Sequence, residues 1–273
     1  MTMRYGLIPI KYKDHRTYDW HRTFGIATDV PAEFNFNKLS FFPNQNADGL
    51  FQACTAYAQL GVATNEDMIV YNDFDFTYRK TLAIMGAPYG GPCDIMTSLK
   101  ACTTYGVKSK GMSEAEALNH RRDPYFIIRK TTDYFDGLIS ALWLKQGGIS
   151  IGTPWLPWFE SIGPDGVIPP IFIDPNMAFV EGHDWIAYGV KIIAGEPKII
   201  CTSHQGRTYG HNGECYFSRN QINTLLSVKG SGAFGQKKAN PANIERVKMT
   251  IMEVILSFMQ MWLSKVMGFV AWR

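Results

Sequence analysis

The spacing of apolar positions changes character midway along the chain. After the turn cluster Asn44-Gln45-Asn46-Ala47-Asp48-Gly49, the residues Phe51, Cys54, Tyr57, Ala58 and Leu60 recur at helical spacing as far as Gly61. This predicts a helix with Cys54 in its first turn. A second helix is predicted around 67–78 and a third over about 93–105, stopping at Gly106. The texture then shifts to short apolar runs at 125–129, 149–152, 185–193 and 198–202, which read as strands with Gly and Pro between them. Residues 153–170 hold five prolines and two glycines, too many for a regular element, so a long loop is expected. Residues 1–40 are polar and aromatic with weak periodicity and read as an extended lead-in, and 231–240 reads as a linker. Helices first and strands later predicts an α+β fold of two lobes, with the default site in the cleft between them.

Pro241 opens a last predicted helix, running to about Trp272, whose pattern is inverted. Arg246, Thr250, Glu253, Ser257, Gln260, Ser264 and Gly268 form one polar stripe, and almost everything else is apolar. An ordinary surface helix carries an apolar stripe on a polar body, so this one must be covered on most sides. Three settings are open: a membrane, where Glu253 and Lys265 are costly; a bundle inside a large assembly such as a bacteriophage virion; or packing across the chain's own lobes. The expected organisation is a domain over 1–230 and a hydrophobic helix over 241–273 for assembly or membrane contact.

Composition narrows the chemistry. The net charge of +3 over 273 residues gives no basic surface for nucleic acid. The first twenty residues lack the apolar core of a secretory signal, and the five cysteines are an odd number. Reduced thiols in a cytoplasmic or virion setting are therefore expected, one of them reactive. Cys201, His204, His211 and Cys215 match no common zinc spacing, no metal is expected, and no phosphate-binding loop is present in the sequence.

Cys54 comes first, and a histidine follows far downstream in Gly182-His183-Asp184-Trp185-Ile186-Ala187-Tyr188-Gly189. This is the order expected when a thiol nucleophile and its base come from different halves of a fold. The thiolate is the attacking species, and a helix N-terminus and a neighbouring imidazole both favour it.

These segments resemble the papain family of cysteine peptidases, in particular its bacterial and viral branch. Cys54-Thr55-Ala56-Tyr57-Ala58 resembles the nucleophile helix, and His183 followed six residues later by Gly189 resembles the histidine strand. The run 206–213, Gly-Arg-Thr-Tyr-Gly-His-Asn-Gly, resembles the glycine-and-aromatic loop after the third catalytic position. The resemblance covers roughly residues 10–220. It implies a helical lobe plus a β-barrel-like lobe, hydrolysis of peptide or isopeptide bonds in a peptide or protein substrate, and no cofactor. Only a short lead-in precedes the matched region, so no inhibitory propeptide is expected.

The resemblance also assigns roles. It implies Cys54 as nucleophile, His183 as base and acid, and Ser203 where the family has an asparagine that orients the histidine. The oxyanion glutamine's position, six residues before the nucleophile, is Asp48, whose charge would oppose a developing oxyanion. Gln45 fills that role if three residues are inserted in the turn. Two readings follow: a working cysteine peptidase, or a weak or inactive papain-like module built into a multi-subunit assembly through its C-terminal helix.

Overall fold

A computed structural model of the chain describes residues 6–9, 17–170, 174, 176–179 and 181–239. The helices are α1 (Trp20–Phe24), α2 (Cys54–Asp67), α3 (Phe74–Met85), α4 (Ile95–Tyr105), α5 (Glu114–Ala117), α6 (Tyr134–Lys145) and α7 (Arg219–Ser227). The strands are β1 (Thr17–Asp19), β2 (Phe34–Asn35), β3 (Arg122–Ile128), β4 (Ile149–Pro154), β5 (Gly182–Ile193), β6 (Glu196–Thr202), β7 (Cys215–Phe217) and β8 (Gly232–Lys238). The predicted α+β class holds.

Helix α2 begins at Cys54, as its spacing predicts, but runs through Gly61 to Asp67. Gly61 is a packing glycine: a Cβ there would lie 2.1 Å from Ile186 Cδ1. The helix is buried from Cys54 to Asn65, so it has no polar face to reveal its length. The predicted helix over 67–78 is displaced, because Asp73 caps α3 by accepting from the Phe76 N–H, and α3 begins only at Phe74. Asp94 caps α4, and Gly106 ends it at φ 79° as expected. Within the predicted loop 153–170, a short 3₁₀ helix covers Pro157–Ser161.

The strands form one sheet in the order β1-β3-β8-β4-β5-β6-β7, with β2 paired to β5. The expected linker at 231–240 is corrected here: β8 is an inner strand between β3 and β4. Its glycines and polar residues hide it from a pattern search, and Gly235 packs beneath the Trp20 ring. Helix α6 was also missed. It is almost wholly apolar, and its Gly137 is pressed against Arg129, where a Cβ would lie 2.4 Å from the carbonyl oxygen.

One core joins the sheet to α4, α6 and α7, and a second lies among α2, α3 and α4. Charges are buried where α2 ends: Arg122 bonds Glu66 at 3.2 Å and Asp67 at 2.7 Å, and Lys145 bonds Glu66 at 3.0 Å. The predicted helix over 241–273 lies outside the described residues. No helix among the described residues is long and apolar enough to cross a membrane.

Candidate active site

The site forms where β6 stops. Thr202, the last residue of β6, pairs with Ile186 of β5, so the earlier part of β5 has one main-chain edge without β6. Its other edge pairs with β4, Thr153 opposite His183 and Gly152 opposite Asp184. Along the uncovered edge, the N–H and C=O groups of alternate residues, Gly182 and Asp184, point the same way.

Cys54 sits at the head of α2, fully buried. Main-chain groups of Asp184, Gly6 and Thr55 near its sulfur favour the thiolate. Burial outweighs them and, with the nearby Asp184 carboxyl, pushes the thiol up to about 12. Asp184 follows His183 on β5, so the fold sets Cys54, at the head of α2, beside the residue next to His183.

His183 is also fully buried, and burial holds its imidazole down at about 4. Its Nε2 lies 2.7 Å from the Ser203 carbonyl oxygen. A carbonyl only accepts, so Nε2 carries the proton and the neutral ring keeps its lone pair on Nδ1. Trp155 and Trp185 meet the ring edge-on, each with centroids 5.1 Å away, and stack on each other. In this conformation the pair is a thiol and a neutral imidazole.

The other assigned residues divide. Ser203 does hold His183, but through its main-chain carbonyl; its hydroxyl is buried without a hydrogen-bond partner among the described residues. Gln45 is buried, donates its backbone N–H to the His204 carbonyl at 2.8 Å and points its side-chain amide at the Phe51 carbonyl at 3.5 Å. Asp48 is exposed and accepts the Tyr57 hydroxyl at 2.5 Å, beside a shallow hollow of about 270 Å³ that Asp73, Asp75 and Arg79 also line. Its carboxylate is thus engaged with Tyr57.

The lead-in holds a feature that sequence reading missed. Leu7 and Gly182 exchange main-chain bonds of 3.1 and 2.9 Å, the Ile8 N–H donates to the Cys93 carbonyl at 3.0 Å, and the Cys93 N–H donates to the Gly6 carbonyl at 2.6 Å. Residues 6–8 therefore bridge the residue before His183 to the residue before the cap of α4, directly over Cys54. Gly6 lies so close to Gln52 that a Cβ would be 2.0 Å from its carbonyl oxygen, and Leu7 is 1 % exposed beside Ile95 and Gly152. The alternation of a short strand is absent from so brief a segment, so only its pairing reveals it.

Asp184 was missed too. Its carboxyl is fully buried, accepts from Ser150 Oγ at 2.7 Å and lies 3.5 Å from Gln59 Nε2, and burial raises its pKa well above the usual range. Of the cysteine–histidine quartet, Cys201 and Cys215 face each other across β6 and β7, whereas His211 is exposed against the Pro164 carbonyl. Among the described residues no three His, Cys, Asp or Glu side chains are grouped to hold a metal ion.

No protein-family model matches the chain, and no curated protein does. Solved structures do match. Xylellain, a cysteine protease from Xylella fastidiosa, is 17 % identical with a TM-score of 0.66, the match covering 86 % of this chain and 96 % of that one. Digestive procathepsin L2 from Tenebrio molitor is 14 % identical with a TM-score of 0.64, covering 84 % and 77 %. The bromelain protease from Ananas comosus is 12 % identical with a TM-score of 0.51, covering 77 % and 100 %. At these identities the likeness is one of fold: the chain has the papain-like fold of cysteine proteases.

Proposed function

We propose that this chain is a papain-like cysteine peptidase, acting on peptide or isopeptide bonds, which its own residues 6–8 hold closed in the described conformation. The observation that supports this reading is the placing of Cys54, at the head of α2, beside Asp184, the residue after His183, with the tautomer of His183 set by the Ser203 carbonyl. With the segment displaced, water and substrate reach both side chains, and the burial that keeps them neutral is relieved. His183 Nδ1 takes the thiol proton and the Cys54 sulfur attacks the carbonyl carbon of the scissile bond. The imidazolium then protonates the leaving amine, and water hydrolyses the resulting thioester. The Cys54 N–H and the Gln45 amide, turned from Phe51, stabilise the oxyanion.

The second reading, an inactive module serving an assembly such as a phage particle through 241–273, is favoured by one observation: Cys54 is 0 % exposed. Cleavage of an unfolded protein substrate separates the two. Gly6→Ala cannot seat its Cβ against Gln52, so the variant is expected to cleave at least about tenfold faster than the parent chain, with Cys54→Ser inactive in the same background. A folded Gly6→Ala chain whose Cys54 stays accessible yet cleaves nothing favours the structural module.

A further inference from the structure

His204 stands outside the nucleophile–base pair, yet three candidate residues converge on it. It is fully buried and has a φ of 60°, in the left-handed region that costs a side-chain-bearing residue about 1–3 kcal/mol. Its Nε2 lies 2.8 Å from the Asp184 carbonyl oxygen, so that nitrogen carries the proton. Its Nδ1 is buried without a hydrogen-bond partner among the described residues. Its own carbonyl accepts the Gln45 N–H at 2.8 Å. Burying an imidazole with one nitrogen unsatisfied, on a strained backbone, costs stability twice over.

That cost has a geometric return. The peptide between Ser203 and His204 carries the carbonyl that receives His183 Nε2, and the φ at 204 sets the angle between that peptide and the chain beyond it, which is tied to Gln45 and Pro43. With the outgoing chain anchored there, an extended residue at 204 would turn that peptide and its carbonyl elsewhere. The ring acts on the neighbouring group: it holds the C=O of Asp184, whose main chain lies near enough to Cys54 to favour the thiolate. Tyr57 flanks the ring at 6.0 Å and His183 at 5.7 Å, leaving it little freedom to turn.

We infer that His204 is a positioning residue: its left-handed backbone aims the Ser203 carbonyl at His183, and its ring pins Asp184 against Cys54. The inference rests on the peptidase reading, but its first test does not require activity. Nitrogen-15 spectra of the histidine rings in the full chain at pH 7 report the tautomer of His183 directly. The parent chain is expected to show His183 protonated at Nε2. His204→Gly, which adopts positive φ freely, is expected to keep that tautomer, and His204→Val, which resists it, to lose it. A parent His183 protonated at Nδ1 overturns the inference, as does a folded His204→Val that keeps the Nε2 form. If the valine variant does not fold, loss of the Nε2 form in a folded His204→Gly overturns it equally.

The ring's part is read separately in the Gly6→Ala background. Alkylation of Cys54 by iodoacetamide at pH 6 is expected to be about tenfold slower with His204→Gly, because the Asp184 main chain, no longer held by the ring, is lost as a support for the thiolate. His204→Gln, which keeps a side-chain donor, is expected to recover most of the rate. Equal rates for glycine and parent overturn the pinning role. A Gly6→Ala chain that alkylates at no measurable rate removes the peptidase reading instead, and leaves the tautomer measurement to decide.

Discussion

Cys54, His183 and Asp184 are each fully buried, and burial drives each toward its neutral form. For Asp184 this has a clear thermodynamic sign. Its folded pKa is raised, so the stability it contributes is complete below the unfolded value near 3.8 and is lost as pH rises above it. Asp184→Asn keeps the shape without the titration. Its denaturant-measured stability relative to the parent is therefore expected to improve steadily between pH 4 and pH 8, and a constant difference would contradict the assignment. At this scale the sequence was partly legible. Cys54 and His183 stand out by order and spacing, because chemistry restricts both residue types. Ser203 is singled out by its position, but what it presents to His183 is a carbonyl, which every residue possesses and no sequence displays. Asp184 and His204 look like ordinary members of a strand and a loop, since their significance lies in which main-chain edge β6 leaves uncovered.

Among the elements, α4 was the easiest to place; a side-chain cap alone does not suffice, since Asp73 caps the displaced α3 and Asp133 the missed α6. Asp94 and Gly106 bracket α4 almost where its spacing puts it. Gly106 also marks a close approach: a Cβ would lie 1.7 Å from the Ala117 carbonyl oxygen, at a φ of 79°. Gly106→Ala is expected to lower stability by at least about 2 kcal/mol, read as a fall in the denaturation midpoint with an unchanged slope. Elements held by tertiary contact were not legible. β8 is polar and glycine-bearing, and it becomes a strand because β3 and β4 supply partners on both sides. Residues 6–8 are the extreme case: without Gly182 and Cys93 they are three unremarkable positions. Leu7→Asp should therefore unseat the segment as Gly6→Ala does, because a carboxylate cannot be buried beside Ile95 without a partner. The expected readout is faster proteolytic nicking before residue 17 in either variant than in the parent.

Across the molecule, the change from helical to strand texture foretold the mixed α+β class, but the sheet order could not be read from spacing. It depends on β8 returning from the end of the described chain to the middle of the sheet. The buried network of Arg122, Glu66, Asp67 and Lys145 ties β3 and α6 to the end of α2. Arg122→Met takes from Asp67 its cation and leaves Glu66 with Lys145 alone, and its expected cost is about 3–5 kcal/mol. Because the network is buried, that cost should change little between low and moderate salt in chemical denaturation.

The closed peptidase is tested most directly by the pH dependence of Cys54 alkylation in the full chain and in Gly6→Ala, read by mass spectrometry. The thiol held up at about 12 predicts negligible modification of the parent at pH 7, with the rate climbing as pH rises toward that value. Gly6→Ala should react readily at pH 7, with a midpoint at or below about 7 that His183→Ala returns to the ordinary thiol range near 8.5. A midpoint for Gly6→Ala that matches the parent, or that does not move when His183 is replaced, would contradict the account.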